Sequence, residues 1–262
     1  MTLSPATIAS LAEYLETAEL QARDVPMITI EHPALDRGDA YAIQDEIWRR
    51  KTARGSRIVG FKAGLTSRAK MKQMGVDQPS RGFLADYFAV PDGGELAVKT
   101  MIHPRVEPEI AFVTKAPLRG PGCNIAHVLA ATDFVVPAIE VIDSRYQNFK
   151  FDMNSVIADN SSSCRFVIGG RPRSVDELDL RTLGLVFEKN GSPVAYGAGA
   201  AVYGHPAAAV AMVVNLLGER GHEVPAGSII LSGGATEAFA VEPGDAVNLR
   251  IQELGSVSIR FV

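Results

Sequence analysis

The chain lacks what a disulfide scaffold or a zinc site would need. Cys123 and Cys164, its two cysteines in 262 residues, stand far apart with no metal-ligand spacing, so reduced thiols are the simplest reading. No charge of one sign dominates either. Twenty-six basic against 30 acidic residues leave a net charge of −4, and the densest basic run, Trp48-Arg49-Arg50-Lys51, falls at a helix end, so no nucleic-acid partner is expected. Low-complexity tracts and internal repeats are missing, which argues against disorder. An unbroken membrane span is missing too. Residues 190–218 carry no charge apart from the titratable His205, but Gly191, Gly197, Gly199, Gly204 and Pro206 break the run. The helical remainder after Pro206 is shorter than the ~20 apolar residues a span requires. Finally, Met1-Thr2-Leu3-Ser4-Pro5 is not a basic region followed by an apolar block, and the expected location is the cytoplasm.

What is present is a core-forming composition, 47% hydrophobic and 21% charged, with an organisation that changes along its length. Ser4-Pro5 reads as a helix start, serine as N-cap and proline at the first helical position, followed by Ile8, Leu11 and Leu15 on one stripe. A second helix is expected from Asp36 or Asp39, with Ile43 and Ile47 inward, ending at Gly55. These helices make residues 1–56 a helical region. From 57 to 262 the pattern is strand-rich, with loops too short for crossover helices, which predicts an α+β chain with a mixed sheet. A short helix is expected over Ser67–Met74, closed by Gly75, then a loop from Asp77 to Gly82 and a strand over Glu95–Ile102. Helices are expected over Ile125–Ala131 and Pro206–Leu217, and Asn190-Gly191 is the strongest hairpin signal. Gly197-Ala198-Gly199-Ala200-Ala201 lacks the third glycine and the following acidic strand of a dinucleotide loop, and reads as a tight turn.

Three carboxylates carry the chemistry. In the strand around Arg105-Val106-Glu107-Pro108-Glu109-Ile110, residues two apart share a face, so Glu107 and Glu109 point the same way. Glu140 lies in a second strand-like run. By spacing alone Glu107 and Glu109 read as a solvated face, Lys62 as an edge-strand lysine reaching water, and Ala158-Asp159-Asn160-Ser161-Ser162-Ser163 as a turn bonded to its own backbone. Were the glutamates to converge, carboxylate oxygens without histidine or cysteine favour Mg²⁺ or Mn²⁺ over zinc, with Ca²⁺ still open.

A set of local motifs sharpens this. The chain contains Ile58-Val59-Gly60-Phe61-Lys62-Ala63-Gly64-Leu65-Thr66-Ser67, Gly82-Phe83-Leu84-Ala85-Asp86-Tyr87-Phe88 and Glu107-Pro108-Glu109-Ile110. It also contains Glu140-Val141-Ile142-Asp143-Ser144-Arg145-Tyr146, Ala158-Asp159-Asn160, Gly197-Ala198-Gly199-Ala200-Ala201-Val202 and Gly204-His205-Pro206. With these, nearly the whole chain resembles the 2-oxopent-4-enoate hydratase and 4-oxalocrotonate decarboxylase family of the fumarylacetoacetate hydrolase superfamily.

The resemblance implies a strongly curved mixed sheet after the helical region. It implies Glu107, Glu109 and Glu140 as ligands of Mg²⁺ or Mn²⁺, with Lys62 in the pocket as a catalytic group. It also implies a homo-oligomer, a small oxo-diacid substrate, a place in meta-cleavage degradation of aromatic compounds, and room for a complex with the pathway's hydratase. Hydratases of this kind carry an aspartate in a Pro-Asp-hydrophobic-Gly pattern where this chain reads Pro79-Ser80-Arg81-Gly82. A serine there is a poor general base, so decarboxylation of 2-oxohex-3-enedioate is expected, with dienoate hydration or a non-catalytic partner subunit as the alternatives. Asn160, Ser162, Ser80 and Ser232 are candidate substrate contacts, and Arg81 a candidate for the distal carboxylate.

Overall fold

The computed structural model describes residues 2–66 and 79–262. The expected helix over Ser67–Met74, its stop at Gly75 and the start of the loop at Asp77 lie outside the described residues.

Helix α1 (Pro5–Leu20) begins as its sequence dictates: the Ser4 hydroxyl accepts the Thr7 N–H, satisfying one of the donors a helix start leaves open. After the short α2 (Ile28–Glu31), α3 (Arg37–Ala53) opens with a reciprocal capping box between Asp36 and Asp39. The strands then follow as β1 (Ile58–Gly64), β2 (Ser80–Ala85), β3 (Gly94–Leu96) and β4 (Arg105–Thr114). Next come α4 (Ile125–Ala131), β5 (Thr132–Ile142), α5 (Met153–Ala158) and β6 (Ser163–Ile168). A hairpin of β7 (Gly184–Lys189) and β8 (Ser192–Ala198) precedes α6 (Pro206–Gly218), and β9 (Ile229–Leu231), β10 (Phe239–Ala240), β11 (Ala246–Ile251) and β12 (Gly255–Phe261) close the chain.

Two sheets form among the described residues. One runs β2-β1-β9-β4-β5-β6 with β10 added beside β4; the other runs β3-β12-β11-β7-β8. Pairing is mixed as expected: β1 with β9 and β12 with β3 are parallel, the rest antiparallel. The first sheet curls until β2 meets β6 near its edges, with a bridge from Ala89 to Phe166. Its outer face carries the main core, including Phe61, Val106, Ile110, Phe112, Val135 and Ile139, against the second sheet and the helices. The concave face encloses a second, smaller cluster of Leu84, Ala85, Phe88, Ala111, Val136, Ala138, Phe166 and Leu231.

This second core explains the first departure from expectation. Glu107 and Glu109 share their face with Ala111, which the sequence pattern assigns to water, yet the curled sheet shuts that face inside. Lys62 is likewise interior, since β1 lies between β2 and β9. Two smaller departures concern local structure. Ser80, Arg81 and Gly82 belong to β2 rather than to a loop, because they pair antiparallel with Lys62, Ala63 and Gly64. The strand expected over Glu95–Ile102 stops at Leu96, where pairing with the chain's last strand ends and Val98–Thr100 turns into a 3₁₀ helix. The apolar segment Gly199–Gly218 has the length and composition of a membrane span. It is divided into a 3₁₀ turn, a turn with left-handed Tyr203 and Gly204, and the core-packed α6.

Candidate active site

Register alone brings the carboxylates together. Glu107 of β4 stands directly opposite Glu140 of β5, and Glu109 follows two residues along on the same face. A ligand oxygen from each of the three lies within 4.8 Å of the others. Such proximity without water is costly unless the charges are compensated. Burial first, and then the charges of Glu140 and Glu107 against the relief from Lys62, hold the Glu109 carboxyl well above the usual range. Glu140 is also raised, by burial and by Glu107, with Lys62 opposing.

Lys62 reaches this cluster from β1. The intervening β9 is only three residues long, and the lysine Nζ lies 3.0 Å from Glu140 Oε2 while donating to the Ser161 carbonyl at 3.2 Å. Burial by itself would lower the ammonium, but Glu140, then Glu107 and Glu109, outweigh it and hold Lys62 above the ordinary lysine value. It therefore stays charged. Among the described residues one ammonium faces three carboxylates, a charge deficit of two when all are ionised, and beyond the Lys62 pair to Glu140 Oε2 the oxygens Glu109 Oε1 and Glu140 Oε1 are buried without a hydrogen-bond donor. Hard oxygen donors with that deficit fit a divalent cation such as Mg²⁺ or Mn²⁺.

Ser232-Gly233-Gly234, continuing from β9, wraps closely under the cluster. The Gly233 N–H donates to Glu109, its φ of 104° is one that side chains avoid, and a Cβ there would meet Thr66. A Cβ on Gly234 would lie 3.0 Å from the Glu107 carboxyl carbon.

Opposite stands the 158–163 loop, in which Asn160, Ser161 and Ser162 all adopt positive φ, at 49°, 51° and 58°. Three successive left-handed non-glycine residues cost about 1–2 kcal/mol each, so surrounding contacts must impose them. They do. The Asn160 carboxamide accepts from the Phe83 N–H at 2.9 Å and donates to the Phe83 carbonyl at 3.0 Å, clamping the loop to the free edge of β2. Arg145 and Asp159 form a buried ion pair, and Arg145 also donates to the carbonyls of Asp143 and Ser163. The Ser161 hydroxyl donates to the Arg81 carbonyl and pairs with the Ser80 hydroxyl at 3.0 Å.

The resulting cavity, about 280 Å³, is lined by Lys62, Ser80, Glu107, Ser161 and Ser162 on its polar side and by Leu65, Ile142, Phe149, Phe151 and Val156 on its apolar side. The Ser162 hydroxyl is buried with no partner among the described residues, which leaves it open to a ligand.

Three expected substrate contacts have other places. Asn160 has its carboxamide engaged at both ends by β2. Ser232 does not line the cavity, although its hydroxyl is also buried without a partner among the described residues. Arg81 points to the outer face, because the strand alternation that sends Ser80 inward sends its neighbour outward. There its guanidinium donates to Gln44 at 2.6 Å and Asp45 at 3.0 Å and packs 4.8 Å from the Tyr41 ring centre. Two groups were overlooked in the sequence: Arg105, two residues before Glu107 and hence on its face, and Phe149 beside it. The period-two rule that paired Glu107 with Glu109 also points to Arg105; nothing local points to Phe149.

Comparison with known proteins gives consistent matches. The profile of the family described as Fumarylacetoacetate (FAA) hydrolase C-terminal matches residues 62–262. A 4-oxalocrotonate decarboxylase of Pseudomonas sp. (strain CF600) is 59% identical over 261 residues, covering 100% of this chain and 99% of that one. A 2-hydroxyhexa-2,4-dienoate hydratase of Comamonas testosteroni is 39% identical, covering 97% of each. The solved structure of 4-oxalocrotonate decarboxylase from Pseudomonas putida G7, complexed with magnesium and adipate, superposes with a TM-score of 0.97 at 58% identity, covering 100% of this chain and 99% of that one.

Proposed function

The chain belongs to the fumarylacetoacetate hydrolase family, and from that premise we propose that it is a metal-dependent decarboxylase converting 2-oxohex-3-enedioate to 2-hydroxypenta-2,4-dienoate and CO₂. The observation that carries this reading is the buried Glu107, Glu109 and Glu140 cluster with Lys62 at the wall of a small, half-apolar cavity, in a chain 59% identical to a 4-oxalocrotonate decarboxylase.

These three glutamates would hold the Mg²⁺ or Mn²⁺, which supplies Lewis acidity towards the 2-oxo acid end of the substrate. The protein's own groups do the rest. In the reaction the C5–C6 bond breaks, CO₂ leaves, and the electron pair moves through the alkene to the C2 oxygen, which takes up one proton from solvent to become the hydroxyl of the product. Lys62, kept protonated, sits where an N–H can meet the negative charge growing on that oxygen, and donors fixed in advance stabilise such charge without reorganising. Ser162 offers a free hydroxyl to the substrate. Leu65, Ile142, Phe149, Phe151 and Val156 keep water from the carbon chain, which favours loss of a charged carboxylate as neutral CO₂.

Hydration is the weaker reading. It needs a base for water, and position 80 offers a hydroxyl already paired with Ser161. Supplying the Mg²⁺-loaded protein with the oxo-diacid and, separately, with 2-hydroxypenta-2,4-dienoate separates the two. We expect stoichiometric CO₂ from the first and no loss of dienoate absorbance with the second; hydration of the dienoate without CO₂ release would reverse the assignment.

The same reading places the chain in the cytoplasm, in the meta-cleavage breakdown of aromatic compounds, as a homo-oligomer able to associate with the pathway's hydratase. Exposed Val194 and Tyr196 on the edge strand β8 support self-association. Residues 1–56 are read as a helical region and 57–262 as the catalytic β-rich part.

A further inference from the structure

Arg105 is the first residue of β4, on the same face as Glu107 and about 7 Å along the strand from it by the usual rise per residue. It is half-buried and lines the cavity that Lys62, Glu107 and Ser162 also line. Its guanidinium carbon lies 4.2 Å from the centre of the Phe149 ring. Stacking of that kind covers one face of the planar group and leaves its edge, with the N–H donors, directed sideways. Among the described residues no carboxylate forms an ion pair with it, and Glu237, the other charged group at that end of the lining, is solvent-exposed. Lys62, the other cation of the lining, is engaged by Glu140 and the Ser161 carbonyl.

We propose that Arg105 binds the substrate carboxylate remote from the glutamate cluster, and so selects dicarboxylates over monocarboxylates. The inference rests on the decarboxylase reading, because only a diacid presents a second carboxylate to that end of the cavity. A planar fork matches a carboxylate bidentately, and with Phe149 behind it the guanidinium holds that carboxylate in one orientation. The carboxylate held is the one lost as CO₂, so Arg105 favours the ground state at least as much as the transition state. Its contribution therefore falls on KM and on the choice of substrate rather than on kcat.

The test is equilibrium binding of adipate and of hexanoate to the Mg²⁺-loaded protein, for the wild type, Arg105→Met and Arg105→Lys. Methionine keeps an unbranched apolar side chain against Phe149; lysine keeps charge without the fork. The wild type should prefer adipate, and Arg105→Met should weaken adipate roughly 10- to 100-fold, the range of a charged hydrogen-bond pair, while leaving hexanoate unchanged. Arg105→Lys should fall between. Unchanged hexanoate binding also shows that the variant is folded. Equal weakening of both ligands would mean that Arg105 serves the carboxylate at the glutamate end, and no change in adipate would remove it from binding; either overturns the proposal. Release of CO₂ from the oxo-diacid is scored separately. Selective adipate binding without CO₂ would sink the decarboxylase reading while leaving Arg105 a dicarboxylate site, and CO₂ release with unselective binding would do the reverse.

Discussion

Glu109→Gln should abolish metal-dependent turnover and at the same time make the metal-free protein more stable. Glutamine is close to isosteric and keeps an oxygen to accept the Gly233 N–H, so the packing under the cluster survives. What disappears is a carboxyl whose ionisation is opposed by burial and by Glu140 and Glu107, with the neighbouring Lys62 already paired to Glu140. Replacing such an acid with a neutral amide in a water-excluded cluster is worth on the order of 1–3 kcal/mol to the metal-free fold. That amounts to about 2–4 °C in Tm for each kcal/mol in a chain of this size. With metal the sign reverses. A site with Mg²⁺ at a hundred times its Kd gains about 2.7 kcal/mol from occupancy, and the variant should gain almost none. Thermal unfolding with EDTA and with Mg²⁺ reads both effects in one experiment. A variant destabilised without metal, or one still stabilised by Mg²⁺ as strongly as the wild type, would show that Glu109 is not a ligand.

Lys62→Met should act in the opposite sense on the metal and in the same sense on turnover. Loss of the ammonium leaves Glu140 without its 3.0 Å ion pair and the Ser161 carbonyl without its donor. Breaking a buried pair from one side costs about 3–5 kcal/mol, so the metal-free variant should be markedly less stable. Three carboxylates relieved of the Lys62 ammonium should then bind Mg²⁺ more tightly, and added Mg²⁺ should restore more stability than it gives the wild type. Turnover should nevertheless fall by about 10²–10³, the usual loss when one fixed donor to a developing oxyanion is removed. Calorimetric Mg²⁺ titration beside kcat measurement separates these effects. Weaker Mg²⁺ binding together with unchanged kcat would make Lys62 a support for the ligands and nothing more.

How far the sequence alone could lead is seen best on β4. Alternation correctly put Glu107 and Glu109 on one face, and antiparallel pairing with β5 needed only the register to add Glu140. The environment of that face was not legible, because period-two patterning separates two faces but cannot say that both are enclosed. Here the curl of the sheet, which arises from contacts between β2 and β6 far apart in the chain, makes a core of the side that carries the charges. The same limit affected Lys62, whose strand reads as an edge until β2 and β9 are seen on either side of it. Helix starts were legible at Ser4 and Asp36, since caps are local chemistry. Arg81 shows the reverse failure. Placing it in a loop hid the alternation that turns it away from the cavity, whereas Arg105 could have been found by extending the glutamate face two residues back. The left-handed run Asn160-Ser161-Ser162 had no signal in its residue types beyond a tendency to turn; its shape is imposed by Phe83, Ser80 and the Arg145–Asp159 pair.

The central claim is that Glu107, Glu109 and Glu140 form a divalent-metal site on which decarboxylation depends. It is tested most directly by stripping the protein with EDTA and following CO₂ release from 2-oxohex-3-enedioate as Mg²⁺ is titrated back, alongside a binding isotherm on the same sample. The account predicts no CO₂ above background in EDTA and a rate that rises in step with occupancy to one Mg²⁺ per chain. A rate indifferent to Mg²⁺, or full occupancy of the site with no CO₂ released, would contradict it.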